Sequence, residues 1–423
     1  MRGGDMLVAD HRFKMHGHNS NHLYFYRSSN QVVISFFSAF MILINGSVAV
    51  NYLKLGSYFG IGIIQAILLS LVPFLLSQLS FYIFFRSWVF GSKFTYPGIW
   101  VLVFGPLFQL IPQILVIYSY FNFTFKLVTL IPEIWKKFFN DLCSSPPNVL
   151  LNDWFIVYLV GFISLFPFLF AKRLSSLRYM SYVANSFLVL NILCIIIDFF
   201  MHIDQIDSSK LPLFGGNYHD SMRILIQFQF AFYFHPLLQL STEDLDNPTN
   251  FRISVLTWST SSIKFAIFTI IPILNFCSYY SRNHYSEKAF LDNYEPKNVL
   301  TIFIEISVYA NILLTIALFT YIIAHSLNEM FLVKRHKRMA TIFGGLCAFL
   351  LNSTICFVSE NVKKVLNLIG SFSICILVYF LPPLYSIALY KTKDILWFIL
   401  SLFLLAAGVT FSILIITQQI QDF

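Results

Sequence analysis

Long apolar runs separated by short polar clusters dominate the chain from residue 31 onward. Many reach the roughly 20 residues that an α-helix needs to cross a bilayer. Their order predicts eleven spans, near 31–53, 57–85, 99–121, 152–171, 179–201, 221–240, 254–281, 300–323, 338–358, 364–390 and 394–417. The longest connections, about 130–151, 202–220 and 282–299, are too short for a separate soluble domain. The expected layout is a polar tail over 1–30, a transmembrane domain over 31–417 and a short end at 418–423. The predicted fold class is therefore an all-α polytopic membrane protein.

Composition agrees. Charged residues make up 11% of the chain and apolar residues 57%, against about a quarter charged in soluble domains. A chain this long could not cover a water-facing surface with so few charges. The net charge of +8 does not point to nucleic acid, because the basic residues sit in short loops, where they set orientation. Arg86 and Lys93, Lys172, Arg173 and Arg178, the KRHKR run at 334–338, and Lys391 with Lys393 all fall on one side. That places the N-terminus in the cytoplasm and the three longer loops outside. The tail has no apolar core followed by a cleavage site and does not read as a signal peptide. Its His11, His16, His18 and His22 match no metal-ligand spacing. Cys143 and Cys277 fall on the outer, oxidising side in this topology, where a disulfide is one of two open states.

The chemistry narrows by exclusion. There is no phosphate-cradling loop, hydrolase elbow or H-E-x-x-H helix in the sequence. The reading is not an enzyme and not an ATP-driven pump, with no cofactor beyond a coupling ion, Na+ or H+. Transporters of this type hold substrate near the midplane, where helices are interrupted. Two stretches carry helix-interrupting residues at membrane depth. Span one has Asn45, Gly46 and Ser47 together; span six has His235 next to Pro236. Proline removes a backbone donor and clashes with the preceding turn. A five-plus-five inverted repeat makes spans one and six equivalent. The alternative is that Gly46 and Ser47 permit close packing and Pro236 is a simple kink. His235 reads either as a proton carrier or, by preference, as a packed histidine bonded at the break. Asp198 and Glu305 are expected at solvated span ends, and Lys264 is expected to snorkel to the inner surface. Thr315 and Thr320, with Asn311, lie along span eight.

The stretch FPFLFAKRLSSLRYMSYVANS at 166–186 resembles the inner loop and fifth span of the amino acid/auxin permease family. LPLFGG at 211–216, followed by FQFAFYFHPLLQLSTEDLDNPT, resembles that family's sixth span. The matching residues there are Phe230, Ala231, Phe232, His235, Pro236, Glu243, Asn247 and Pro248. The resemblance implies the permease-superfamily fold, with five plus five inverted spans and broken helices one and six. It implies amino acid substrates, held by backbone groups at Ile44, Asn45, Gly46, Ser47 and Val48. Phe230, Ala231, Phe232 and Tyr233 would shape the side-chain pocket. His235, Pro236, Thr315 and Thr320 would serve coupling or gating. A Cys143–Cys277 bridge is also implied, since some members link these loops. The chain departs from the family in span one. Ile42 stands at an expected Asn, Val48 at a second Gly, and the span's end, Asn51-Tyr52-Leu53, lacks proline.

The expected function is secondary amino acid transport by a monomeric unit in a lipid bilayer, of the plasma membrane or an acidic organelle. A non-transporting amino acid sensor on the same fold is the alternative.

Overall fold

The computed structural model describes residues 34–48, 52, 55–91, 95–143, 145–165, 174–280, 290–331, 337–390 and 394–422. The tail at 1–30, the basic residues at 172–173, most of the 334–338 run, and 391 and 393 lie outside them. Helices account for nearly all of the described residues, and the one β-bridge joins Ile34 to Leu245.

In chain order, α1 is Phe36–Val48, α2 is Ile63–Gly91, α3 is Tyr96–Phe104 and α4 is Leu110–Leu142. Next, α5 opens at Asp153–Phe155 and passes through a π-helical Ile156–Val160 into Gly161–Ser164, and α6 is Arg178–Met201. Then come α7, Tyr218–Ala231, α8, His235–Glu243, α9, Asn250–Tyr280, and α10, Val299–Met330. The series ends with α11, Lys337–Ile355, α12, Glu360–Tyr390, and α13, Ile395–Asp422. Eight described helices are long and apolar enough to cross a membrane. The other three predicted spans hold shorter helices: α1, α5, and the α7–α8 pair.

The predicted third span, 99–121, differs most. Thr95 caps α3 by accepting from the Gly98 N–H at 3.0 Å. The chain then turns through Gly105 and Phe108, both at positive φ (82° and 59°), and α4 runs 33 residues to Leu142. Hydropathy marks where apolar residues stop. The helix continues past Lys126 and Pro132 because backbone bonding does not end with the apolar run.

Apolar surface gives little preference for another helix over lipid tails, so close packing and polar contacts hold a bundle together. Here α10 lies at the centre, against α4, α6, α11 and α1. Asparagines stitch it to its neighbours. Asn185 on α6 donates to the Met41 carbonyl of α1 at 2.8 Å. Asn311 on α10 donates to the Ala184 carbonyl at 2.9 Å. Asn191 accepts from the Tyr52 hydroxyl at 2.7 Å and reaches Ser307 at 3.1 Å.

Three expectations are corrected by burial. Asp198 and Glu305 are not solvated: both are buried, and Asp198 accepts from the Tyr279 hydroxyl at 2.8 Å. Lys264 does not snorkel and is fully buried. It lies 14 residues into α9, about 21 Å along the axis at 1.5 Å per residue. That depth exceeds the reach of a lysine stem.

Candidate functional site

Helix α7 ends at Ala231 and α8 begins at His235, leaving Phe232, Tyr233 and Phe234 unwound. The cause is local. Pro236 sits in the first turn of α8, where its missing N–H costs nothing. The same proline would clash with a helix continuing through Phe232. Neighbouring helices hold the unwound residues in place. The Phe232 carbonyl accepts from the Ser77 hydroxyl of α2 at 3.1 Å. The Tyr233 hydroxyl lies 2.8 Å from Ser119 of α4, whose own proton goes to the Val116 carbonyl, so the phenol is the donor. Its ring stacks on Phe123, 5.8 Å away and tilted by 8°.

His235 is fully buried and stacks on Phe81, with ring centroids 3.7 Å apart. Its Nε2 lies 3.0 Å from the Ser80 hydroxyl, and that hydroxyl donates to the Val378 carbonyl. The serine proton is thereby committed, so Nε2 carries the histidine hydrogen and donates it. Nδ1 is then an acceptor, and it has no hydrogen-bond partner among the described residues.

On one side of the break lies a cavity of about 490 Å³. Phe230 and Ala231, the last residues of α7, line it together with Tyr58, Phe123, Lys126, Glu133, Arg223, Glu360, Lys363 and Asn367. The Lys126 ammonium lies 5.1 Å from the centre of the Phe230 ring. At the opposite end of the bundle the chain is pinned shut. Ile34 donates to the Asp244 carbonyl at 2.9 Å and accepts from the Asp246 N–H at 2.8 Å.

The span-one residues are placed differently from expectation. Ile44, Asn45, Gly46, Ser47 and Val48 are helical, with no interruption through them. The next residues, 49–51, lie outside the described residues. The Asn45 amide joins α1 to α10 and α6: Oδ1 accepts from Thr315 at 3.0 Å, and Nδ2 reaches Ser181 at 3.4 Å. Gly46 faces α8 and α10, so that a Cβ there would meet Leu237 Cδ2 at 2.5 Å and Leu318 Cδ2 at 3.0 Å. Spans one and six are thus in contact, with Gly46 at the crossing. Ser47 and Thr320 are buried and have no hydrogen-bond partner for their hydroxyls among the described residues. Cys143 closes α4 and Cys277 lies in the last turn of α9. Among the described residues no disulfide joins them.

Lys264, which the sequence reading set aside, belongs to this region. Its ammonium lies 4.9, 5.9 and 5.6 Å from the ring centres of Phe234, Phe232 and Phe268. Its Nζ has no hydrogen-bond acceptor among the described residues. The signal was available in the sequence: Thr257, Thr260, Ser261, Lys264 and Phe268 recur at helical spacing on one face.

The fold is shared with two solved transporters. One is MhsT in complex with L-phenylalanine, at TM-score 0.62 and 13% identity, with 93% of this chain and 100% of that chain covered. The other is Mhp1, a nucleobase-cation-symport-1 family transporter in a closed conformation with bromovinylhydantoin bound. It gives a TM-score of 0.58 and 14% identity, with 93% and 91% covered. No curated protein matches the sequence. The sequence profile described as transmembrane amino acid transporter protein matches residues 32–421. With nearly the whole of its span-bearing length matched, the chain belongs to the transmembrane amino acid transporter family.

Proposed function

We propose that this protein is a secondary transporter that moves an amino acid across its membrane by alternating access, driven by a Na+ or H+ gradient. The observation that carries the reading is the unwound Phe232–Phe234 segment between a cavity on one side and a paired Ile34–Leu245 contact on the other. An interrupted helix offers backbone donors and acceptors that an intact helix uses internally. Placed between an open and a closed face, it suits a substrate that enters from one side and leaves by the other. The Tyr58, Phe123 and Phe230 rings that line the cavity beside the break would suit an apolar side chain, in keeping with the L-phenylalanine bound by MhsT.

The proposed architecture has eleven spans, the first ten arranged as a five-plus-five inverted repeat, with the N-terminus cytoplasmic. Thr315 and Thr320 are candidate hydroxyls for a coupling ion. Thr315 is committed to Asn45 and Asn311, whereas the Thr320 hydroxyl has no hydrogen-bond partner among the described residues. The plasma membrane and an acidic organelle membrane both suit such a carrier.

The test is uptake by the purified protein in liposomes. Each of the twenty common L-amino acids is offered at two pH values, with and without a sodium gradient. Faster uptake of at least one under an imposed gradient is expected. Absence of gradient-driven flux across the panel would sink the transport reading and leave an amino acid sensor.

A further inference from the structure

We propose that Lys264 is the cation that receives the carboxylate of the transported amino acid, beside the N-terminus of α8. The inference rests on the transport reading above and adds a specific anchor to it.

Two independent features converge on one place. The first is the helix end. Helix α8 starts at His235 after Phe234, whose own side chain does not cap it, and in its first turn the Leu237 N–H faces the Tyr120 hydroxyl. A helix N-terminus leaves backbone N–H groups without helical acceptors and carries the positive end of the dipole, so it favours an anion. The second is Lys264, fully buried, with its Nζ 4.9 Å from the ring centre of Phe234, the residue at that helix end. A lysine ammonium is a three-hydrogen donor. None of its hydrogens has an acceptor among the described residues, and none of the ion pairs of the structure involves it. Ring faces attract a cation by about 0.5–2 kcal/mol but accept no ordinary hydrogen bond. The lysine set is completed when an anionic acceptor enters.

The other titratable group facing it is His235. With Nε2–H donated to Ser80, His235 presents a bare Nδ1 and brings no positive charge of its own. From α9 itself the nearest polar neighbours on the face are the Thr260 and Ser261 hydroxyls, one turn away and also without hydrogen-bond partners. They supply donors for an anion, not charge against it. Lys264 is therefore the cationic donor beside Phe234 at the start of α8, and a carboxylate is the anionic group that every amino acid substrate carries.

Lys264→Met and Lys264→Arg are compared with the unmodified protein in the same liposomes. The probes are the twenty L-amino acids, together with the methyl ester of each one taken up. Met matches the length of the stem and suits a site lined by phenylalanine rings, so Lys264→Met is expected to fold and to melt within a few degrees of the parent. The expected result is a KM for the free amino acid raised at least tenfold in Lys264→Met, with Lys264→Arg recovering part of the affinity. The methyl ester competes weakly with the parent and equally weakly with Lys264→Met. An unchanged KM in Lys264→Met, in a protein whose parent transports, overturns the anchor and leaves the transport reading standing. Uptake that requires chloride in the parent, but not in Lys264→Met, assigns the ammonium to chloride and also overturns it. If the parent moves no amino acid, both readings fail together.

Discussion

Gly46 and Ser80 show how single atoms set the geometry of this site. At Gly46 the space for a Cβ is already filled by the Leu237 and Leu318 methyls. A larger residue must push α1 away from α8, the helix that begins at the break. Overpacking of this kind costs about 1–3 kcal/mol. Gly46→Ala is expected to lower uptake with a modest loss of thermal stability, because the Leu237 tip can swing. Gly46→Leu is expected to abolish uptake while the protein still elutes as a folded species. Uptake at the parental rate in Gly46→Leu would remove the crossing from the transport machinery. Ser80 joins His235 to the Val378 carbonyl, so Ser80→Ala strips one partner from each. Leaving a buried polar group unsatisfied costs about 1–3 kcal/mol, read as a lowered midpoint of thermal unfolding in detergent. No change would mean that His235 turns to another partner. The sequence announced Gly46 and His235 by residue type alone. It could not announce Ser80, one serine among many on apolar helices until the fold brings it against residues 235 and 378. Lys264 was visible as a charge, and the misreading was one of depth.

Element by element, the chain was legible wherever one physical signal dominated. Apolar length placed α2, α6, α9, α10, α12 and α13, and the His-Pro pair placed the sixth-span break within three residues. Two signals were beyond a one-dimensional reading. Helices that run past their apolar stretch, such as α4 beyond Lys126, look like loops to hydropathy. The π-helical turns at Ile156–Val160 and Ile376–Phe380 add a residue to a turn with no marker in composition. The second widens α12 where it meets α2, in the strand of chain that supplies the Val378 carbonyl to Ser80. Such bulges recur at functional positions in helices. Here one re-aims a carbonyl toward the break. The sixth span and its support on α2 and α12 thus meet at Ser80, which joins His235 to the carbonyl of the π-turn.

For the whole molecule, the described state is closed at the Ile34–Leu245 end and open at the cavity end. Alternating access requires that the closed end separate during each cycle. The chemistry of the contact suits that role. Among the described residues it includes two backbone hydrogen bonds and one buried apolar pair, Ile34 and Leu245. Each backbone bond contributes about 0.5–1.5 kcal/mol net, a scale that can be broken and re-formed in each cycle. The parallel bridge brings the two residues within the roughly 7 Å between Cα atoms that a disulfide tolerates. Ile34→Cys with Leu245→Cys, in a background where the six native cysteines are replaced, should therefore cross-link on oxidation. The expected outcome is uptake abolished on oxidation and restored by reductant, while each single cysteine variant transports in either condition. A cysteine placed at Lys126 in the cavity should stay reactive to a water-soluble thiol reagent in the cross-linked protein, because only the opposite face is locked. Uptake that persists with the cross-link complete would mean that this contact never opens. The exit path would then have to lie elsewhere in the bundle.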